Sequence, residues 1–352
     1  MIIHQNFTGG NIVVKEQNGN DIYLENELRD TTENWFYWAF CIEGAEGQTL
    51  NFHFQKHRIG YYGPAVSHDL KEWHWLEEYE DESEVFTYTF KSDENKVYFA
   101  HSMLYHPERF YEFSKQKNLE VSELCKSLKG RSVPYLKLGN GSKSIILTAR
   151  HHACESPGSY VLEGVLDSLI KNPIDDTTIF CVPFVDFDGV TDGDQGKSRA
   201  PHDHNRDYDP SKDSIYPECK KIREFADQNG CWFGFDFHAP WHKYELNDNI
   251  FIVQNNATKI DGFERFGCEL EKCTNKNSMQ YQKCNDIPPE TGWNQPSTQF
   301  AVYMNQKSEC DLAFTLENTY FGKPENKVSQ EKLIELGRCF ANAVRNYIAN
   351  KK

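Results

Sequence analysis

Four stretches of this sequence end an apolar run on side chains that can bind a cation, move a proton or grip an anion. In ILTARHHACESPGSY (146–160) the run gives way to His151, His152 and, three residues after His152, Glu155. Imidazole nitrogen and carboxylate oxygen suit a borderline cation such as zinc, and a His and a Glu so spaced at a strand end can turn toward one point. His-x-x-Glu alone is unspecific. A surface histidine pair ahead of a helix begun by Pro157 has the same pattern. In CWFGFDFHAPWH (231–242) a second run ends in His238. Asp236, two residues earlier, lies on the same side of a continuing strand and can orient the imidazole. His151 and His242 are competing ligands in the two segments. In 188–208 a loop rich in Gly, Asp and His carries Asn205 and Arg206, and a guanidinium fork binds a carboxylate through two parallel hydrogen bonds. In DLAFTLENTYFG (311–322) the run delivers Glu317. A carboxylate on a buried strand needs a partner or a task.

The segments between these stretches must bring them together. SIILTA (144–149), TIFCVPFV (178–185), CWFGFDF (231–237), IFIVQ (250–254) and DLAFTLE (311–317) are short apolar runs. Helical patterns are expected over 107–129, after Pro157, near 215–228, near 262–273 and over 328–349. Strands alternating with helices predict a mostly parallel α/β sheet, in which ligands collect at the carboxyl ends of strands. The polar stretch 186–214 is expected to be a long functional loop. Before residue 115 the character differs. NIVVKE (11–16), WFYWAFCI (35–42), TLNFHF (49–54), VFTYTF (85–90) and KVYFAH (96–101) are aromatic or β-branched runs, which predict an antiparallel sandwich. The expected division is residues 1–118 and 119–352.

At 352 residues the chain is long enough for two domains, and its net charge of -15 disfavours a nucleic-acid partner. No apolar run approaches the roughly 18 residues of a membrane helix. The N-terminal residues lack a basic segment followed by an apolar one, so no secretory leader is expected. The eleven cysteines, with no CxxC pair, are then expected as reduced thiols in the cytoplasm.

Taken together, in order and spacing, the four stretches resemble the M14 zinc carboxypeptidases, and most of all their cytosolic carboxypeptidase branch. The resemblance covers residues 130–345 through these motifs. It extends more weakly to FTYTFKSDENKVYFAHSMLYHPERF (86–110), which is similar to the segment leading into that branch's catalytic domain. It implies a mixed, mostly parallel sheet with helices on both faces, preceded by the sandwich. It also implies a hydrolase that removes C-terminal residues from peptides with one zinc per chain. On this resemblance His152, Glu155 and His238 hold the zinc, Asn205 and Arg206 receive the substrate's terminal carboxylate, and Glu317 is the general base.

The sequence departs from the family in places. The arginine that polarises the scissile carbonyl is replaced by Gly196 at the ungapped position, which leaves Arg199 as the preferred substitute and Lys197 as the alternative. Tyr303 is the candidate for the family's mobile tyrosine, in a region it shares with Trp293 and Tyr281. The resemblance assigns selection of the last side chain to residues 293–310, with Lys307 for an acidic residue and Ala301 or Val302 for an apolar one. The expected partner is a peptide or protein C-terminus, with neither nucleic acid nor membrane. Two other readings stay open. One is a zinc deacylase of the aspartoacylase type, and the other is a homologue that keeps the pocket without turnover.

Overall fold

A seven-stranded mixed sheet organises the chain from residue 122 onward. The computed structural model describes residues 1–76 and 83–351. Across the sheet the strands are Ser122–Lys126, Ser132–Gly139, Thr177–Val182, Lys143–Ala149, Phe233–His238, Leu312–Glu317 and Phe251–Gln254. The four from Thr177–Val182 to Leu312–Glu317 are parallel, and the outer pairings are antiparallel. Both faces of the parallel strands are apolar because helices cover both. Ile145, Leu147, Phe235 and Phe314 pack on one side with helices Ser156–Lys171, Ile260–Cys273 and Gln330–Ala349. Ile146, Phe180 and Ala313 pack on the other with helices Pro217–Asn229 and Phe300–Asn305. The helices Ser156–Lys171 and Gln330–Ala349 touch backbone to backbone, since a Cβ at Gly337 would lie 2.0 Å from the Val161 carbonyl oxygen.

The N-terminal part is a sandwich of two sheets. One orders Ile2–His4, Ala39–Glu43, Lys96–Ala100, Ala65–Ser67 and His74–Trp75; the other orders Val13–Asn18, Asp21–Glu25, Thr49–His53 and Val85–Thr89. Trp38, Phe40, Phe52, Phe86 and Phe99 fill the space between them. The pairing of Asp21–Glu25 with Thr49–His53 is parallel, and every other pairing is antiparallel. The outer face of the first sheet is not free. Tyr37, Ala39, Cys41, Tyr98 and Ala100 belong to the same apolar cluster as the core of the seven-stranded sheet.

Several elements differ from expectation. The helix expected over 107–129 spans only Pro107–Gln116. Asn118 adopts φ 54°, the Leu119 amide turns back to the Ser114 carbonyl, and Ser122–Lys126 becomes an edge strand. Its Leu124 and Cys125 reach the apolar cluster from a strand rather than a helix. Its partner, Ser132–Gly139, escapes the sequence reading because Pro134 and Lys137 interrupt its apolar pattern. Within 186–214, a short helix Phe187–Asp192 is capped by the Asp186 side chain, which accepts from the Gly189 amide. Of WFYWAFCI only the last part pairs as a strand, because Trp35 and Tyr37 turn to the second domain.

Candidate active site

Strand register sets the site. His238 and Glu317 end adjacent parallel strands and are direct partners, and Ala149, partner of Phe237, ends the strand on the other side. Past Ala149 the chain turns sharply at Arg150, whose φ is 60°. The buried Arg150 guanidinium holds that turn by donating from Nε to the Ala153 carbonyl (2.8 Å) and from Nη1 to the Tyr105 carbonyl (3.1 Å). The turn swings His152 toward His238.

His152, Glu155 and His238 converge, with one ligand atom of each within 4.8 Å of the others. Glu155 Oε1 lies 2.9 Å from His152 Nδ1, Glu155 Oε2 lies 2.8 Å from His238 Nδ1, and the two Nδ1 atoms are 3.2 Å apart. His238 Nε2 donates to Asp236 Oδ2 at 2.6 Å, since an ionised carboxylate only accepts. In the neutral imidazole, Nδ1 then presents a lone pair to the Glu155 carboxylate. Glu155 Oε2 has no hydrogen-bond partner among the described residues despite its 2.8 Å approach to Nδ1. Donors this close in a buried site need a shared proton or cation between them, and two nitrogens with a carboxylate are a zinc donor set. The charges show the same demand. Burial disfavours a proton on His238, yet Asp236 and Glu155 raise its pKa well above the ordinary value. Burial opposes ionisation of Glu155 too, but Lys197, His152 and His238 hold its pKa well below the ordinary one. These residues fit a divalent metal.

The flanking carboxylates orient the imidazoles. Asp236 Oδ1 accepts from His151 Nδ1 (2.8 Å) and Thr148 Oγ1 (2.9 Å), and His151 Nε2 in turn accepts from the Tyr208 hydroxyl (2.8 Å). Burial works against the Asp236 charge, but His151 and His238 outweigh it and keep its pKa low. Asp203 Oδ1 stands 3.6 Å from His152 Nε2. Glu317 differs from the other acids. It is buried, its Oε2 has no hydrogen-bond partner among the described residues, and burial raises its pKa to about 7 against the opposing pull of His238 and Lys197.

These groups open on a cavity of about 600 Å³ lined also by Lys197, Asp203, Arg206, Trp35, Trp241 and Trp293. Arg206 follows Asn205 in the 3₁₀ turn His204–Arg206 and lines the cavity. Asn205 lies beneath it, with Oδ1 accepting from the Phe300 amide (3.0 Å) and Nδ2 3.3 Å from His238 Nε2.

Arg199, preferred from the sequence as the oxyanion group, is elsewhere. Asp30 (3.1 Å), Asp186 (2.7 Å) and Asp194 (2.9 Å) occupy its guanidinium, and it does not line the cavity. Lys197 lines it instead, with Nζ 2.5 Å from Glu155 Oε1. Tyr303 is also displaced. It is buried in the apolar cluster behind the sheet, and its hydroxyl donates to Asp227 (2.6 Å). Lys307 is engaged by Asp227 and Tyr303, Ala301 is buried in that cluster, and Val302 borders a different cavity. The helix Phe300–Asn305 turns these side chains away. His151 is enclosed by Asp236 and Tyr208, and His242 stacks on Phe36, so neither joins the three converging donors. Cys154 is buried, 3.7 Å from the Tyr320 hydroxyl, with burial pushing its thiol up to about 11. Asp203, beside His152, went unread as a site residue, as did Trp35 and Trp241, whereas Trp293, weighed beside Tyr303, lines the cavity. The Asp ahead of Asn-Arg was the available signal for the first, whereas Trp35 arrives from another domain.

Family models match two adjoining parts of the chain. Residues 3–101 match the cytosolic carboxypeptidase N-terminal domain, and residues 111–243 match zinc carboxypeptidase, a span that contains His152, Glu155 and His238 but not Glu317. An uncharacterized protein of Zymomonas mobilis is 29% identical over 312 residues, 81% of this chain and 80% of its own. Cytosolic carboxypeptidase 2 of Homo sapiens is 29% identical over 229 residues, 57% of this chain but only 25% of that protein. A metallo-carboxypeptidase of Pseudomonas aeruginosa, solved in complex with (2-guanidinoethylmercapto)succinic acid, superposes with a TM-score of 0.81. It is 20% identical, with 100% of each chain covered, and so speaks to the fold. The chain belongs to the M14 zinc carboxypeptidase family and carries an N-terminal domain of the cytosolic carboxypeptidase type.

Proposed function

We propose that this protein is a zinc metallocarboxypeptidase that removes C-terminal residues from peptides, working in the cytoplasm as the designation of its cytosolic relatives suggests. The observation that carries the reading is the convergence of His152, Glu155 and His238 beside the unpaired carboxylate of Glu317. The division into residues 1–118 and 119–352 is part of the proposal, with the catalytic groups all in the second part.

His152, Glu155 and His238 would hold one zinc. A zinc so held would supply Lewis acidity, lowering the pKa of a water and polarising the scissile carbonyl. Glu317 Oε2, which has no hydrogen-bond partner among the described residues, takes the proton of the attacking water and delivers it to the leaving amine. Lys197 places a buried cation toward the carbonyl oxygen as negative charge develops there. Arg206, with Asn205 behind it, grips the terminal carboxylate, which restricts cleavage to the chain end and aligns the last peptide bond. Asp236 and Asp203 keep the two imidazoles turned toward Glu155. The match of residues 3–101 to the cytosolic carboxypeptidase N-terminal domain supports a peptidase over a deacylase.

The test is a comparison of substrates on zinc-loaded protein: a short peptide with a free C-terminus, the same peptide amidated, and an N-acyl amino acid. The reading expects the free peptide to be shortened and the other two to be poor substrates. Turnover of the N-acyl amino acid alone would point to a deacylase, and turnover of none to a protein that has lost catalysis.

A further inference from the structure

The loop that carries Lys197 takes its shape from the N-terminal sandwich. Several of its backbone groups find their partners across the domain boundary. The Gly193 carbonyl accepts from Asn11 Nδ2 (2.7 Å). The amides of Gln195 and Gly196 donate to the two oxygens of Asp30 (3.0 and 2.8 Å). The Ser198 carbonyl accepts from the Thr32 amide (3.1 Å) and hydroxyl (3.0 Å). The Gln195 side chain acts like a neighbouring strand: its Oε1 accepts from the Tyr37 amide and its Nε2 donates to the Tyr37 carbonyl, each at 2.9 Å.

On this scaffold Lys197 and Ser198 line the cavity, and Lys197 brings the charge. Gly196 has φ 79°, and a Cβ there would lie 2.1 Å from the Ala153 amide nitrogen. The loop is therefore pressed onto the turn that bears His152 and Glu155, and no side chain fits at 196. The next residue supplies the cation. Lys197 Nζ reaches Glu155, donates to the Ala239 carbonyl (3.1 Å), and stands 4.7 Å from the Trp35 ring centroid. Trp35 is itself fixed by Nε1 donating to Ser198 Oγ (3.2 Å). A lysine on a flexible four-carbon stem points reliably only if its backbone and its ammonium are both held.

We infer that Asp30 and Trp35 are positioning residues through which the N-terminal sandwich completes the active site, Asp30 pinning the backbone at 195 and 196 and Trp35 covering the Lys197 ammonium. The inference rests on the catalytic reading of Lys197. If the sandwich served only to cover an apolar face, its contacts with this loop would not be hydrogen bonds aimed at the two amides that precede the lysine.

The experiment compares Asp30→Ala, Lys197→Ala and the double variant in the full-length, zinc-loaded protein. Amide hydrogen exchange at Gln195 and Gly196 is read alongside kcat, KM and zinc content. Asp30→Ala should keep its zinc, lose protection at those two amides but not in strand Phe233–His238, and lower kcat roughly 10–100-fold, the effect of losing a pair of hydrogen bonds to a charged group. The double variant should be no worse than Lys197→Ala, because Asp30 acts through the lysine. Trp35→Leu should lower kcat several-fold and Trp35→Phe should restore most of it, which provides the test should Asp30→Ala not fold. If Lys197→Ala lost activity while Asp30→Ala kept both exchange protection and kcat, the inference would be overturned and the catalytic reading would stand. Effects of Asp30→Ala that multiplied with those of Lys197→Ala would also overturn it. Near-normal kcat in Lys197→Ala would remove the catalytic reading, and the inference with it.

Discussion

Glu317 and His238 end neighbouring strands as register partners, yet their surroundings assign them different work. His238 has a carboxylate on each nitrogen, which suits it to hold a cation; Glu317 has an oxygen with no partner among the described residues and a pKa raised by burial to about 7. Glu317→Gln keeps shape and removes the proton acceptor. It should retain zinc while kcat falls by at least the roughly 10²–10⁴ that a general base supplies. His152→Ala should lose zinc and activity together; metal analysis beside kcat for both variants checks the contrast. Arg206→Ala should raise KM for free peptides and narrow the gap between free and amidated ones, because the variant can no longer read the carboxylate. Equal KM in variant and wild type would place that recognition elsewhere. At this scale the sequence was most informative where one short segment holds the whole signal, as in His152-x-x-Glu155. It was least informative where a side chain's direction depends on its loop. Arg199 and Lys197 are two residues apart and both basic. Only the carboxylates of Asp30, Asp186 and Asp194, gathered from two domains, decide that Arg199 turns away.

Helix Pro217–Asn229 carries an acid in an adverse place. Glu218 is buried at its first turn, Oε2 has no hydrogen-bond partner among the described residues, and burial together with Asp186, Asp188 and Asp207 raises its pKa to about 8. The unfolded chain ionises this residue near its ordinary value, whereas the folded chain resists until about pH 8. Its protonated form therefore costs nothing at acid pH, and stability falls as pH rises between those two values, levelling off above the second. Glu218→Gln should match wild type in Tm near pH 4 and exceed it increasingly up to about pH 8. A constant difference across that range would contradict the assignment. Where helices Ser156–Lys171 and Gln330–Ala349 meet, Gly337→Ala would push a Cβ onto the Val161 carbonyl. It should cost on the order of 1–3 kcal/mol while leaving kcat nearly unchanged, as overpacking does away from a site. The parallel strands were legible because their runs are short and apolar on both faces. Ser132–Gly139 and the end of helix Pro107–Gln116 were not, since Pro134 and Lys137 break the strand's apolar pattern and the helix gives way to a left-handed Asn118. Trp35 and Tyr37 sit in a strand-like run, but their partners lie some 160 residues onward at Gln195 and Ser198, which no local pattern shows.

The whole molecule carries a net charge of -15, and its candidate cavity includes the carboxylates of Asp203, Glu245 and Glu317 beside the committed cations Lys197 and Arg206. That field should slow the approach of acidic peptides and speed that of basic ones, and salt should shrink both effects. Measured kcat/KM for an acidic peptide should thus rise between low and physiological ionic strength, while that for a basic peptide of equal length falls. The two domains share one apolar cluster and are joined by the polar contacts around Lys197, so the molecule works as one body in which the sandwich helps to build the site. The central claim is that this site hydrolyses the last peptide bond of a chain by means of a metal and Glu317. It is tested most directly by following a short peptide by mass spectrometry as zinc-loaded wild type and zinc-loaded Glu317→Gln act on it. Stepwise loss of single residues from the free C-terminus with wild type, and an unchanged peptide with Glu317→Gln, is the predicted result. Internal cleavage, an intact peptide with wild type, or equal shortening by Glu317→Gln would contradict the account.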